Sequence, residues 1–284
     1  MAEIISYYSA APSQGKRTLS LRFAEMLAQQ GYKTLYIELD VNHPAIAIAN
    51  QITNPLRNAV EYFQKTMTAK EFNVENFVIN KEVLLLTEQR DLKKIFAELP
   101  QNLDFLVLPE DFQLNGFPVL VDSAEKDAEI KANEYIQKFM YALKTSRYEY
   151  VVLNLPNEIN HIFGYEVIEA SDRLINVITP SATRIYENKE IKNFLIENIP
   201  GIKERIFTVI NQASALLDVQ IFKDLVGEDQ KVIVIPFDME RQPRELALEN
   251  GSPLIDENTE RLLLMLGIDY EPMQTKKFKL FGRG

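Results

Sequence analysis

The sequence predicts an α/β fold, a doubly wound and mostly parallel β-sheet with helices on both faces. Short apolar segments rich in β-branched and aromatic residues alternate, over the whole chain, with segments whose apolar residues follow a helical period. Several of the short segments are continuous apolar runs, which is typical of parallel strands covered on both faces. A sheet enclosed between helices fits both observations.

Eight segments are predicted to be strands, and most are separated by enough residues for a crossover helix. They are Ile4–Tyr8, Thr34–Leu39, Val83–Leu86, Phe105–Leu108, Tyr150–Leu153, Leu174–Ile178, Ile206–Ile210 and Val232–Ile235.

The first predicted helix follows the first strand closely. Leu19, Phe23 and Met26 recur at a spacing of three or four residues, and Gly31 provides a stop signal. The predicted helices are Lys16–Gln30, Ala132–Thr145, Tyr186–Glu197, Ser214–Leu225 and Asn258–Leu266.

The chain is predicted to form one domain. It has 284 residues, of which 46% are hydrophobic, enough for one large α/β core or for two small domains. No stretch resembles an interdomain linker, and Gln113–Lys126 is interpreted as a surface loop because it contains Asn115, Gly116 and Pro118. We therefore assign residues 1–270 to the domain and residues 271–284 to a basic C-terminal tail.

Charge and residue usage exclude several classes of function. A net charge of -10 disfavours a general nucleic-acid-binding surface. The absence of cysteine excludes disulfides and thiolate metal sites, and the only two histidines, His43 and His161, are far apart in the sequence. The sequence shows neither a signal peptide nor an apolar run long enough to cross a bilayer, so a cytoplasmic location is expected.

The segment Ser9–Thr18, SAAPSQGKRT, has the context of a phosphate-binding loop, because it joins a predicted strand to a predicted helix. Backbone N–H groups and the positive end of the helix dipole converge at such a turn. Gly15 permits close approach of the backbone, and Lys16 can reach the β- and γ-phosphates. The match to G-x-x-x-x-G-K-[ST] is partial, so an ordinary strand–helix turn is the alternative interpretation of this segment alone.

Five further segments resemble, in order, the MinD/ParA-type deviant P-loop ATPases of the SIMIBI class. The run QQGYKTLYIELD is similar to the family's AQxGxKTLxIDxD, and YEYVVLNLP is similar to its Walker B strand YDYVVVDLP. The segments are Gln29–Asp40, Tyr148–Pro156, Ala170–Arg184, Phe207–Gln212 and Val234–Leu254. The resemblance covers most of the chain and implies a P-loop NTPase fold.

The resemblance also implies a site for ATP or ADP with Mg²⁺. It assigns catalytic roles to Lys16 and Asp40, and weak contacts to the metal through water to Glu38 and Asp40. The residues implied in nucleotide binding are Ser13, Gln14, Gly15, Lys16, Arg17, Thr18, Asn154, Asn211 and Pro236.

Several family positions are altered, and the alterations predict weak catalysis. Ala11 stands where relatives carry a lysine that crosses a dimer interface. Arg17 replaces the hydroxyl that binds magnesium, and Asn154 replaces the Walker B aspartate. Because magnesium-assisted phosphoryl transfer depends on positioning and charge neutralisation, hydrolysis is expected to be slow or absent. Binding should suffer less, since Lys16 and the loop backbone remain.

Within the family the sequence most resembles the CpaE/TadZ branch, which localises pilus-assembly machinery. This implies a positional or assembly factor for a cell-surface, pilus or secretion apparatus, with a protein of that system and a second copy of the chain as partners. Two alternatives remain open: a non-catalytic scaffold, and a relative of the bacterial tyrosine kinases of polysaccharide export. The tail contains no tyrosine cluster, with Tyr270 alone nearby, which argues against the kinase.

The tail Gln274–Gly284, QTKKFKLFGRG, combines four cations with aromatic residues and no acid. One interpretation is a peripheral contact with the inner face of the cell membrane, and the other is a solvated tail.

Overall fold

Seven parallel strands form one sheet in the computed structural model, which describes residues 1–122, 124, 126–216, 218–227 and 231–271. The sheet order is β3-β2-β4-β1-β5-β6-β7. The strands are β1 Glu3–Tyr8, β2 Thr34–Glu38, β3 Leu103–Leu106, β4 Tyr150–Asn154, β5 Arg173–Ile178, β6 Ile206–Ala213 and β7 Val232–Pro236. All pairs between these strands are parallel, which confirms the predicted fold class.

Twelve α-helices surround this sheet in the described residues, together with one 3₁₀ turn at Leu114–Gly116. They are α1 Lys16–Gln29, α2 Ile46–Asn50, α3 Ala59–Thr68, α4 Lys81–Leu84, α5 Arg90–Glu98, α6 Ala128–Lys144, α7 Tyr165–Ala170, α8 Ala182–Asn198, α9 Ile202–Arg205, α10 Val219–Val226, α11 Arg241–Leu246 and α12 Pro253–Met265. None of the described helices is long and apolar enough to cross a membrane.

The two faces of the sheet carry separate cores, which explains the continuous apolar runs. Ile4 packs into one core with Phe63 of α3 and Phe139 of α6. Its neighbour Ile5 points to the opposite face and packs with Phe23 of α1 and Leu262 of α12. Successive side chains of a strand alternate between faces, so a strand covered on both sides is apolar at nearly every position.

The predicted strand Val83–Leu86 is wrong, because Val83 and Leu84 are the last two residues of the short helix α4 and Leu85 and Leu86 form a turn. Asn80 caps it, with its side-chain oxygen accepting the Val83 N–H at 3.0 Å. A four-residue apolar run cannot distinguish a strand from a buried helical turn, and the cap decides in favour of the helix.

Other boundaries differ by a few residues. Strand β3 begins at Leu103 rather than Phe105, and α10 begins at Val219 rather than Ser214 because Asp218 caps it. The described part of Gln113–Lys126 is a loop with one 3₁₀ turn. Gln274–Gly284 lies outside the described residues.

Strand β1 lies in the middle of the sheet, between β4 and β5. The loops that follow the carboxyl ends of parallel strands meet at one edge of the sheet, where open α/β folds bind ligands. The loop after β1 leads directly into α1, so the predicted phosphate loop lies at this edge.

Candidate nucleotide-binding site

A cavity of about 560 Å³ opens at this edge of the sheet. It is bounded by the carboxyl ends of β1, β2, β4, β6 and β7 and the segments that follow them. The predicted site residues that line it are Ser13, Gln14, Gly15, Lys16, Arg17, Thr18, Asp40, Asn154, Asn211 and Pro236. Tertiary structure therefore brings together residues from five strand ends that are far apart in the sequence.

The phosphate loop has the backbone shape that its glycine permits. Gly15, immediately before α1, has φ +86°, and Ser13 has φ +62°. A Cβ on Gly15 would lie 2.2 Å from Asn211 Nδ2. The Asn211 amide donates to the Gln14 backbone oxygen at 2.9 Å, so this side chain packs directly on the loop. A glycine is required here by both the left-handed backbone and the close approach.

Gln14 ties the loop to the neighbouring strand. Its side-chain oxygen accepts the backbone N–H of Thr179 at 2.8 Å, just beyond β5. The Gln14 side chain is buried, and it holds the loop against the sheet edge while the cavity remains open beside it.

Lys16, the first residue of α1, is buried and bonded to groups of the protein. Its Nζ donates to Asp40 Oδ2 at 3.1 Å, to Asn157 Oδ1 at 3.1 Å and to the backbone oxygen of Leu155. Burial lowers the Lys16 pKa, and the Asp40 charge opposes that shift. This arrangement places a cation at the helix N-terminus, in the position that a phosphate-binding lysine requires.

Asp40 lies between Lys16 and His43. Its second oxygen, Oδ1, accepts from the His43 backbone N–H at 3.2 Å and lies 3.2 Å from His43 Nδ1. Since both oxygens are engaged, the carboxylate of Asp40 is held at the cavity wall.

His43 and Asn157 are cavity residues that the sequence did not single out. Asn157 Oδ1 also accepts from Ser9 Oγ at 3.0 Å, so this amide joins the strand β4 side to the phosphate loop. Each follows a buried strand by a few residues, as Asp40 does, and Asn154 is the last residue of β4. A polar residue close to the carboxyl end of a buried strand is the local signal that they share.

Glu38 is not at the cavity. One carboxylate oxygen accepts the backbone N–H groups of Ala45 at 2.9 Å and Ile46 at 3.1 Å, and the other accepts that of Leu108 at 3.3 Å. Burial raises the Glu38 pKa, and these hydrogen bonds oppose the rise. The metal contact expected of Glu38 does not fit this placement, because the carboxylate instead holds the chain that follows β2.

The remaining groups fit a magnesium ion poorly. Arg17 directs its guanidinium to Glu245 and offers no oxygen ligand. Asn154 Oδ1 is buried without a hydrogen-bond partner, so it could accept from metal-bound water, but it carries no charge. Asp40 is already paired with Lys16. Over the described ranges, no cluster of three His, Asp or Glu side chains could hold a metal.

The side of the cavity at the carboxyl ends of β6 and β7 is formed by Asn211, Gln212, Pro236 and Phe237. An irregularity in the β6–β7 pairing shifts the register between Ile210 and Ala213, and Gln212 has φ +60°. These residues present amide and apolar groups to the cavity. The charged side chains on this side, Asp238, Arg241 and Glu245, come from the segment that follows β7.

Comparison with known proteins places the chain in a family and a fold. A family model described as an AAA domain matches residues 2–213. No curated protein shows significant similarity to the sequence.

Three solved structures share the fold at low sequence identity. A plasmid partition protein from Borrelia burgdorferi bound to AMPPNP is 16% identical, with a TM-score of 0.64 and coverage of 94% of this chain and 98% of that chain. A ParA family ATPase from Chlorobium tepidum is 14% identical, with a TM-score of 0.66 and coverage of 94% and 100%. The septum site-determining protein MinD from Pyrococcus horikoshii, complexed with Mg-ADP, is 14% identical, with a TM-score of 0.63 and coverage of 94% and 98%. Since the AAA-domain model matches more than half of the residues, the chain belongs to the AAA-domain family, and its fold is that of the MinD/ParA-type P-loop ATPases.

Proposed function

We propose that this protein binds ATP or ADP in the cavity and hydrolyses ATP slowly or not at all. The observation that carries the proposal is the position of Gly15 and Lys16 at the start of α1, open to a cavity of about 560 Å³. That volume is within the range of small-molecule sites, roughly 300–1,000 Å³. The positive helix end and the lysine favour the phosphates of the ligand.

Two similar structures support an adenine nucleotide as the ligand. The Borrelia burgdorferi protein was solved with AMPPNP and Pyrococcus horikoshii MinD with Mg-ADP. In the present chain, Lys16 is expected to exchange acceptors of the protein for phosphate oxygens. Asn211 and Pro236 would lie beside the base at the carboxyl ends of β6 and β7.

Weak hydrolysis is proposed because the groups that usually support magnesium are changed. In P-loop enzymes a hydroxyl and a carboxylate hold magnesium, which would supply charge neutralisation to the phosphates. Here the corresponding positions carry Arg17 and Asn154, and Asp40 is paired with Lys16. The site would therefore bind and orient a nucleotide but lack the groups that support rapid phosphoryl transfer.

The cellular role proposed for the nucleotide-bound protein is that of a positional or assembly factor. By analogy with its fold relatives, it would act with a protein partner, as a homodimer, and for a cell-surface, pilus or secretion apparatus as in the CpaE/TadZ branch. Contact of the tail with the inner face of the membrane belongs to this proposal as well.

Isothermal titration with ATP and ADP, in magnesium and in EDTA, tests the proposal. We expect binding of both nucleotides, similar with and without magnesium, together with little phosphate release. Nucleotide released on denaturing the purified protein, seen as absorbance near 260 nm, would support it. Tight binding only with magnesium, accompanied by rapid turnover, would overturn the claim of weak catalysis.

A non-catalytic scaffold that binds no nucleotide is the second candidate. The observation that favours it is that Lys16 Nζ has three acceptors within the protein. A scaffold would show no heat of binding with either nucleotide, while remaining folded by circular dichroism.

A further inference from the structure

An acidic side chain lies in the wall of the proposed phosphate site. Glu245 of α11 lines the cavity and contacts the guanidinium of Arg17 on α1. Its second oxygen lies 3.9 Å from Arg241 Nη2. Glu245 therefore lies between two arginines that both line the cavity.

Glu245 lies within ion-pair distance of both arginines, and the charges of Asp238 and Glu25 also act on Arg241. Arg17 immediately follows Lys16 on the first turn of α1, and its charge is permanent. Arg241 donates from Nη1 to the backbone oxygen of Glu249 at 2.6 Å, but its Nε is buried without a hydrogen-bond partner. Since Nε is enclosed by the protein, an anionic ligand would meet Arg241 through its Nη groups, of which Nη2 lies 3.9 Å from Glu245.

We infer that Glu245 competes with the phosphates of a bound nucleotide for Arg17 and Arg241, so that α11 regulates the affinity of the cavity. The inference rests on the proposed nucleotide binding. A polyphosphate supplies several oxygens and more negative charge than one carboxylate, and guanidinium groups bind phosphates through paired hydrogen bonds. The arginines would then take over part of the charge neutralisation that magnesium provides in relatives.

This competition also determines which kind of ligand responds to Glu245. The competition concerns phosphate oxygens, so the effect should follow the phosphate chain and not the base. The cations involved belong to the protein and are not metal ions, so the effect of Glu245 should persist when EDTA removes divalent metals. A partner that binds α11 and moves Glu245 would raise nucleotide affinity by the same route.

Glu245→Gln tests the inference by removing the negative charge while keeping the shape. Titration in EDTA should show ATP and tripolyphosphate binding about two- to fivefold more tightly than to the wild type, the size expected for one partly exposed ion pair. Adenosine should bind unchanged. Glu240→Gln is the matched control, since Glu240 pairs with Arg244 at the start of α11 but does not line the cavity, and it should leave all three affinities unchanged.

A double variant separates competition from a structural effect. If Arg17 is the group released, Arg17→Gln should weaken ATP binding, and Glu245→Gln should bring little or no gain when Arg17 is already glutamine. Melting temperatures of all variants show whether each is folded. ATP binding to the wild type with no gain in the folded Glu245→Gln variant would overturn the inference and leave the proposed function intact. Absence of ATP and tripolyphosphate binding in every folded variant would instead overturn the proposed function.

Discussion

The cavity has two walls that differ in burial and in how their cations are held. The inner wall consists of Lys16, at the start of α1, with Asp40 and Asn157, which follow β2 and β4. The outer wall consists of Arg17 and Glu245, whose ion pair joins α1 to the short helix α11. The side chains of Lys16 and Asp40 are 7% and 6% exposed, whereas those of Arg17 and Glu245 are 26% and 36% exposed.

This difference shows that two consecutive residues, both cations, can have different roles. Lys16 lies in a region of low dielectric, where breaking an ion pair is costly. Arg17 is partly solvated, where an ion pair contributes little and can exchange partners. We infer that the inner wall is responsible for phosphate binding and that the outer wall adjusts the affinity. Four variants test and refine this contrast.

The largest effect is expected from Lys16→Ala. It removes the inner-wall cation, so ATP affinity should fall roughly 10- to 100-fold, the loss of one or two charge-assisted hydrogen bonds. It also leaves Asp40 buried without its ion-pair partner, which should lower the free energy of unfolding by about 3–5 kcal/mol. Isothermal titration and urea denaturation measure the two effects. Lys189→Ala, at an exposed position of α8, is the control. Wild-type affinity in the Lys16 variant would show that the inner wall does not bind phosphate.

Gly15→Ala should destabilise the inner wall from the backbone side. The added Cβ meets Asn211 Nδ2 at 2.2 Å, and the residue must keep φ +86°, so a loss of about 1–3 kcal/mol is expected. Gly31→Ala provides a control for backbone strain alone, since Gly31 has φ +95° and nothing within 4 Å of its added Cβ. Urea denaturation should show a larger loss for Gly15→Ala. Equal losses would mean that Asn211 can move aside freely.

The double variant Arg17→Thr, Asn154→Asp should restore metal support across both walls. It supplies the hydroxyl and the carboxylate that magnesium sites of P-loop enzymes use. ATP should then bind about tenfold more tightly with magnesium than with EDTA, because one charge-assisted contact contributes roughly that much binding free energy. The single variants, measured in the same buffers, show which position contributes more. If the wild type already has this magnesium dependence, the proposed defect at Arg17 and Asn154 is refuted.

The smallest effect concerns the pH dependence of stability that arises from His161, whose electrostatic partners include Asp40 of the inner wall. Burial lowers the pKa of His161 from 6.5, against the charges of Glu158 and Asp40. The folded protein therefore binds fewer protons than the unfolded chain as the pH falls below 6.5, and stability is lost over that interval. Urea denaturation gives the free energy of unfolding of the wild type and of His161→Gln at each pH. The wild-type value minus the variant value should be smaller at about pH 5 than at about pH 7.5. A difference that does not change between these pH values would show that His161 titrates normally in the folded state.

The contrast between the walls also shows what could be predicted from sequence. Gly15 and Lys16 were identified because their signal is local: a strand, a glycine, a lysine and a helix in succession. Asp40, Asn154, Asn211 and Pro236 required resemblance to a family, and all line the cavity. Glu38 has the same kind of local signal as Asp40. Only the structure shows that its carboxylate faces backbone N–H groups instead.

By itself, the sequence determined the α/β class, seven of the eight predicted strands and the position of the phosphate loop, because hydrophobic period and turn residues are local properties. It could not determine whether Val83–Leu86 is a strand or a helix, since a short apolar run fits both. Tertiary structure alone decided that Glu245 reaches Arg17 across 228 residues and that Asn157 reaches Lys16 across 141. Such contacts depend on strand order and on how helices pack over the sheet, and no local pattern carries that information.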